Sequence, residues 1–166
     1  MTGAMLMGSA EFCAEARIWL CRFGGNLYSK LPYAISCWGN YLDQVENVKD
    51  GLTFQEKHAK MKKIVEALSC HEKISKYVSF QPKIPETSMV HCFLKANVDQ
   101  CKQANDEISQ RFGVKIFSRI REIKGNSNGV GAYFEWSIGQ SNGKITEETF
   151  VDGWTKFVDA LESSTS

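Results

Sequence analysis

The sequence predicts an α+β chain: a small antiparallel sheet with helices on one face, preceded by a strand and three helices. Three observations predict it. Segments 89–95, 114–121 and 132–138 alternate along the chain with the period of two that strands require. Behind Ser9, Thr53, Asn97 and Thr146, all residue types that cap helices, apolar residues recur at helical spacing. From Met89 the order is strand, helix, strand, strand, helix, and a small sheet with helices on one face buries the apolar side of all five pieces.

The elements follow in order. Ala4-Met5-Leu6-Met7 reads as a short apolar strand, and Ser9 caps a helix with Glu11 in its first turn, where the helix dipole favours an anion. Phe12, Ala16, Trp19, Leu20 and Phe23 share one face of that helix, and Gly24-Gly25 ends it, since glycine enters the left-handed region at little steric cost. Proline suits a first helical turn, so the spacing of Ala34, Trp38, Tyr41, Leu42 and Val45 predicts a helix over 32–48, broken by Asp50-Gly51. Thr53 and Glu56 form a capping box. The helix they open is expected to bury Phe54, Met61, Val65 and Leu68, with Lys57, Lys60, Lys62 and Lys63 on a solvated face and His58 on the polar side. Residues 77–80 suit a short strand, and Pro82 and Pro85 forbid a regular element across them.

Met89 to Lys95 places Val90, Cys92 and Leu94 on one face and Met89, His91 and Phe93 on the other, a strand expected to be covered on both sides. Asn97 with Gln100 repeats the capping logic for a helix ending at Phe112-Gly113. Val114, Ile116, Ser118 and Ile120 alternate with Lys115, Phe117, Arg119 and Arg121 as a strand with one wetter face, and 125–131 is a loop. Ala132, Phe134, Trp136 and Ile138 form the buried side of the next strand. Thr146 caps a last helix that buries Phe150, Trp154, Phe157, Val158 and Leu161, and 163–166 frays.

Composition narrows the function classes. The chain has 166 residues, enough for a sizeable core, and its 43% hydrophobic content opposes disorder. A net charge of +1 lacks the electrostatic footprint of a nucleic-acid binder. No run of eighteen apolar residues suggests a membrane span. The six cysteines, with no Cys-x-x-Cys pair, read as reduced thiols of a cytoplasmic protein, and the first residues lack the basic region of a signal peptide. Cys70-His71 and His91-Cys92 resemble a metal quartet in composition only, because adjacent strand residues point to opposite faces. The glycines form neither a Walker loop nor a dinucleotide fingerprint.

One stretch carries a family resemblance. Thr2-Gly3-Ala4-Met5-Leu6-Met7-Gly8-Ser9, then Ala14-Glu15-Ala16-Arg17-Ile18-Trp19, then Arg22 and Gly24-Gly25-Asn26-Leu27 resemble the middle of a threonine aldolase or aromatic amino-acid β-eliminating lyase. These are pyridoxal-phosphate enzymes of the aspartate-aminotransferase fold type, and the likeness runs to about residue 160. It implies a C-terminal portion: 1–52 as a remnant of the large domain with connecting helices, and 53–166 as the small C-terminal domain. It also implies lyase chemistry on β-hydroxy amino acids, giving glycine and an aldehyde. The family's Schiff-base lysine would lie just before the segment matching Met1, and Lys30 does not occupy its place. No catalytic residue is therefore assigned, and the chain is not expected to hold the cofactor covalently or to act alone. Arg22, Gly24, Gly25 and Asn26 are expected near the cofactor phosphate, although Cys21 and Phe23 stand where the family often has basic residues. Phe134-Glu135-Trp136 replaces the usual arginine for the substrate carboxylate, leaving Arg119 or Arg121 as its substitute. The expected partners are an amino-acid substrate and either a second copy or a chain supplying the large domain, with no nucleic acid and no membrane. The alternative reading is a non-catalytic ligand-binding or regulatory α+β module.

Overall fold

A computed structural model describes residues 6–25, 27–45, 51–123 and 131–163. The chain divides into two compact units, Met1–Lys49 and Asp50–Ser166. The first holds α1 (Ala10–Arg22) and α2 (Leu31–Val45). Ser9 caps α1 by accepting a hydrogen bond from the Phe12 amide, and Gly24 adopts a φ of +73° just past its end. Neither helix buries a residue: Trp19 and Trp38 are about half exposed, and Phe23 is 82% exposed. The strand expected over 4–7 is not seen at Leu6 and Met7, which are exposed coil, and residues 1–5 lie outside the described residues. So does the end of the second helix beyond Val45.

The second unit is α+β. It contains α3 (Phe54–Cys70), α4 (Ile74–Tyr77), β1 (Val78–Gln81), β2 (Met89–Leu94), α5 (Val98–Phe112), β3 (Arg121–Glu122), β4 (Ala132–Ser137) and α6 (Glu147–Ser163). The four strands form an antiparallel sheet in the order β1-β2-β4-β3. Alternation turns Val78, Phe80, Val90, Cys92, Leu94, Ala132, Phe134 and Trp136 to one face. There they meet Met61, Ile64 and Leu68 of α3, Ala104 and Ile108 of α5, and Trp154, Phe157 and Val158 of α6. Both expected capping boxes are formed, Thr53 with Glu56 and Asn97 with Gln100. Thr146 accepts from the Thr149 amide at the head of α6. Gly113 ends α5 with a φ of +66°, a conformation in which a Cβ would be strained. Between β2 and β4, a Cβ on Gly131 would lie 2.5 Å from the Ala96 carbonyl, so the chain can pass there only without a side chain.

Several further expectations need correction. The buried stripe of α3 is Lys57, Met61, Ile64 and Leu68 with Val65, not one that begins at Phe54, which is half exposed. Lys57 sits one turn before Met61 on the same stripe, and its methylene stem is buried with it. Lys60 is not solvated either, since its ammonium donates to the carbonyls of Gly143 and Ile145 ahead of α6. His58 bonds the Pro85 carbonyl through Nε2 at 2.8 Å and fastens the proline segment to α3. β2 is covered on one side only: Met89 is exposed, and His91 and Phe93 are half-buried on the other face.

The largest correction concerns 114–121, where only Arg121 joins a strand. The buried side chain of Asn105 replaces the ladder. Its Oδ1 accepts from the amides of Ile116 (2.9 Å) and Phe117 (3.4 Å), and its Nδ2 donates to the Phe117 carbonyl (3.3 Å). Held from the helix side, the segment inserts Phe117 into the core against Phe134 and Phe157 instead of running along β4. Strand alternation is a demand for backbone partners, and an amide on a helix can meet it as well as a neighbouring strand. The loop expected over 125–131 lies outside the described residues except for Gly131.

Candidate functional site

Because β3 pairs with β4 only at Arg121–Tyr133 and Glu122–Ala132, a cleft opens beside the rest of β4. It has a volume of about 430 Å³ and is lined by Arg119, Arg121, Glu135, Ser137 and Ser141 among others. The structure thus brings the two arginines singled out by sequence into one recess. Arg119 has no hydrogen-bond or ion-pair partner among the described residues. Arg121 does: its Nη1 lies 3.4 Å from Glu135 Oε1, and its guanidinium sits 5.9 Å from the Tyr133 ring centre. Contacts with Tyr133 first, and then with Glu135, hold the Arg121 guanidinium more firmly protonated than usual.

The open face of the sheet adds residues that sequence reasoning did not assemble. Register sets His91 opposite Glu135 and Phe93 opposite Tyr133, while Arg121 faces Tyr133 from the other side. Cross-strand partners on one face come within reach of each other. Phe93 and Tyr133 stack at 5.8 Å, and His91 Nε2 stands 3.9 Å from Glu135 Oε1. A carboxylate flanked by an imidazole and a guanidinium, beside stacked rings, suits an anionic or flat polar molecule. The signal lay in the pairing of two strands, which neither strand carries alone. Cys92, one position from His91, points into the core, where burial pushes its thiol pKa up, so the two do not converge.

The turn after α1 belongs to the first unit. Its Gly24 amide donates to Cys21 O and its Gly25 amide to Leu20 O, and the Arg22 guanidinium lies 4.8 Å from the Trp19 ring centre. An anion cradle needs free amides, and these two complete a helix C-terminus. The described part of the turn therefore does not by itself fit a cofactor phosphate, and what it offers is one exposed guanidinium. Asn26 lies outside the described residues.

Comparison with known proteins bears on the fold. No family model matches the chain, and no curated protein matches it in sequence. Two solved structures do match in shape. One, from Exiguobacterium sp. 255-15, is assigned as an aromatic amino acid β-eliminating lyase/threonine aldolase: TM-score 0.62 and 21% identity over 91% of this chain. The other, from Listeria monocytogenes EGD-E, is assigned as an L-allo-threonine aldolase: TM-score 0.59 and 24% identity over 92% of this chain. The chain has the fold of part of a threonine-aldolase-type protein. It spans 38% of the length of each, a share that agrees with the C-terminal portion expected from the sequence. No helix among the described residues is long and apolar enough to cross a membrane.

Proposed function

We propose that the chain is the C-terminal portion of a threonine-aldolase-like lyase acting on β-hydroxy amino acids, with Arg119 and Arg121 gripping the substrate carboxylate. One observation carries the reading: more than nine-tenths of the chain follows the fold of proteins assigned to that chemistry. In the complete assembly pyridoxal phosphate would serve as the electron sink for breaking the Cα–Cβ bond. That group is held covalently elsewhere in this reading, so this chain's part is to bind and orient. Arg119 is the readier fork for a carboxylate, because Arg121 must first share its guanidinium with Glu135. Arg22 is the group of the described turn left to approach a phosphate, beside the Gly24-Gly25 turn that ends α1. The unburied faces of α1 and α2 suit a large-domain partner or a second copy, and six thiols suit a reducing cytoplasm.

The spent amides of the Gly24-Gly25 turn favour the second reading, a ligand-binding or regulatory module without catalysis. Two measurements separate them. Borohydride reduction with pyridoxal phosphate, followed by peptide mapping, is expected to leave the purified chain colourless and without label on any single lysine. Stoichiometric label at one lysine would contradict the assignment of the cofactor to another part. Joined to a polypeptide that supplies the large domain, the chain should release glycine and acetaldehyde from L-allo-threonine, and Arg119→Ala should raise KM. An assembly that forms but produces no glycine would support the module.

A further inference from the structure

A second cleft, of about 480 Å³, lies between the end of α5, the segment Val114–Ile116 and the first half of α6. We propose that it binds a small aromatic carboxylate, held by its ring against Trp136 and by its charge at Lys115. This inference does not depend on the lyase reading: Trp136 and Asn142 border both clefts, but Lys115, Phe150, Gly153 and Trp154 line this one and not the arginine cleft.

The volume lies in the range of small-molecule sites, roughly 300–1,000 Å³. The wall is aromatic. Trp136 and Trp154 lie 5.8 Å apart at 67°, and Phe150 meets Trp136 edge-on at 5.4 Å. A flat ring entering beside them finds the edge-to-face geometry that aromatic groups prefer. One side of the recess is set by Gly153 of α6, where a Cβ would come within 3.3 Å of Val114 Cγ1, so the absence of a side chain lets Val114 lie close against the helix. Glycine is a poor residue for a helix interior, and here it lets Val114 and Ile116 pack against α6 as one wall of the recess, which a larger side chain would displace.

The polar groups choose the ligand's other end. Asn142 is engaged in the loop itself, its Oδ1 accepting from the Gly139 amide and its Nδ2 donating to the Ser137 carbonyl, and it carries no charge for an anion. The Thr149 hydroxyl is paired with that of Thr146. Among the described residues, Lys115 is the one charged group lining the cleft, no carboxylate lines it, and Lys115 has no ion-pair partner. A lone ammonium at the rim of an apolar recess complements an anion joined to an apolar body.

The test is an NMR titration of the full chain with 3-phenylpropionate and, separately, with its neutral counterpart 3-phenylpropanol. The four indole N–H signals are the readout, with Trp19 and Trp38 as internal controls. We expect saturable shifts at Trp136 and Trp154 with the acid and little movement at the controls. The alcohol should bind more weakly by about two- to fivefold, the factor that an exposed ion pair supplies. Lys115→Gln should remove that preference without removing the shifts. Gly153→Val should abolish binding, and Ile145→Trp, which fills the rim, should do the same if the first variant does not fold. Shifts confined to Trp19 and Trp38, or none at all, would overturn the site, and equal binding of acid and alcohol would overturn the carboxylate.

Discussion

Helices α1 and α6 carry the same kind of pattern and meet opposite fates. Each sets tryptophan and phenylalanine at helical spacing behind a hydroxyl cap, with acidic residues in its first turn. Yet α1 buries nothing, while α6 buries Trp154, Phe157, Val158 and Leu161. The period of a sequence says which face of a helix is apolar. Whether that face is covered depends on a second surface, and α6 has a sheet opposite it. For α1 the described residues provide no such cover, which is why its face is assigned to a partner.

The largest expected effect sharpens this contrast. Trp136 is 8% exposed and touches Phe80, Phe150 and Trp154, so Trp136→Ala should destabilise the second unit by about 3–5 kcal/mol in denaturant unfolding. A loss below about 1 kcal/mol would mean that the aromatic face is not a core. Next comes Asn105→Ala, which strands the buried amide and carbonyl of Phe117 and the part-buried amide of Ile116 and should cost about 1–3 kcal/mol. Hydrogen exchange should then speed up at Ile116 and Phe117, and unchanged protection there would show that another group holds the segment.

A smaller effect is tied to pH. Lys73 bridges Asp159 and Glu162, joining the start of α4 to α6. Its hydrogen bond lowers the Glu162 pKa from 4.5, so that contribution is present above 4.5 and lost as pH falls through the depressed value. Glu56, lowered by the Thr53 backbone and hydroxyl, follows the same sign. Lys73 itself is raised by Asp159 and then Glu162, so its contribution persists through neutrality and fades only above 10.5. Stability of the second unit should therefore decline below pH 4.5, and Lys73→Met should make that decline shallower. An identical acid slope in the variant would remove the bridge from the account.

The smallest expected change is at Trp19, where replacement by alanine should alter unfolding of the second unit by no more than about 0.5 kcal/mol. Its effect should fall on association instead. Sedimentation of the parent chain at micromolar concentration should show self-association or capture of a large-domain partner, weakened by Trp19→Ala. A clean monomer with Trp19 shielded from iodide would erase the difference between the two helices.

Much of this architecture was legible because local chemistry and burial agreed. Both capping boxes, the left-handed Gly113 and the inward face of β4 follow from residue types and spacing. What was not legible depended on distant partners. Segment 114–120 reads as a strand because nothing nearby reveals that Asn105 will take its amides. Phe54 reads as core because it opens an apolar stripe, but the stripe that meets the sheet passes through Lys57. Arg119 and Arg121 were legible as candidates, whereas the cluster of His91, Glu135, Phe93 and Tyr133 became visible only through the register of β2 and β4.

The Trp136–Trp154 pair also has an optical consequence. Two indoles 5.8 Å apart with ring planes 67° apart are close enough for their transitions to couple, and a skewed pair rotates polarised light as a unit. Neither Trp19 nor Trp38 has an indole neighbour among the described ring contacts; their stacked partners are Phe23 and Tyr41. A split band in the circular dichroism of this chain would then come from the second unit alone. It would serve as a built-in gauge of whether that unit is folded, whatever covers the first.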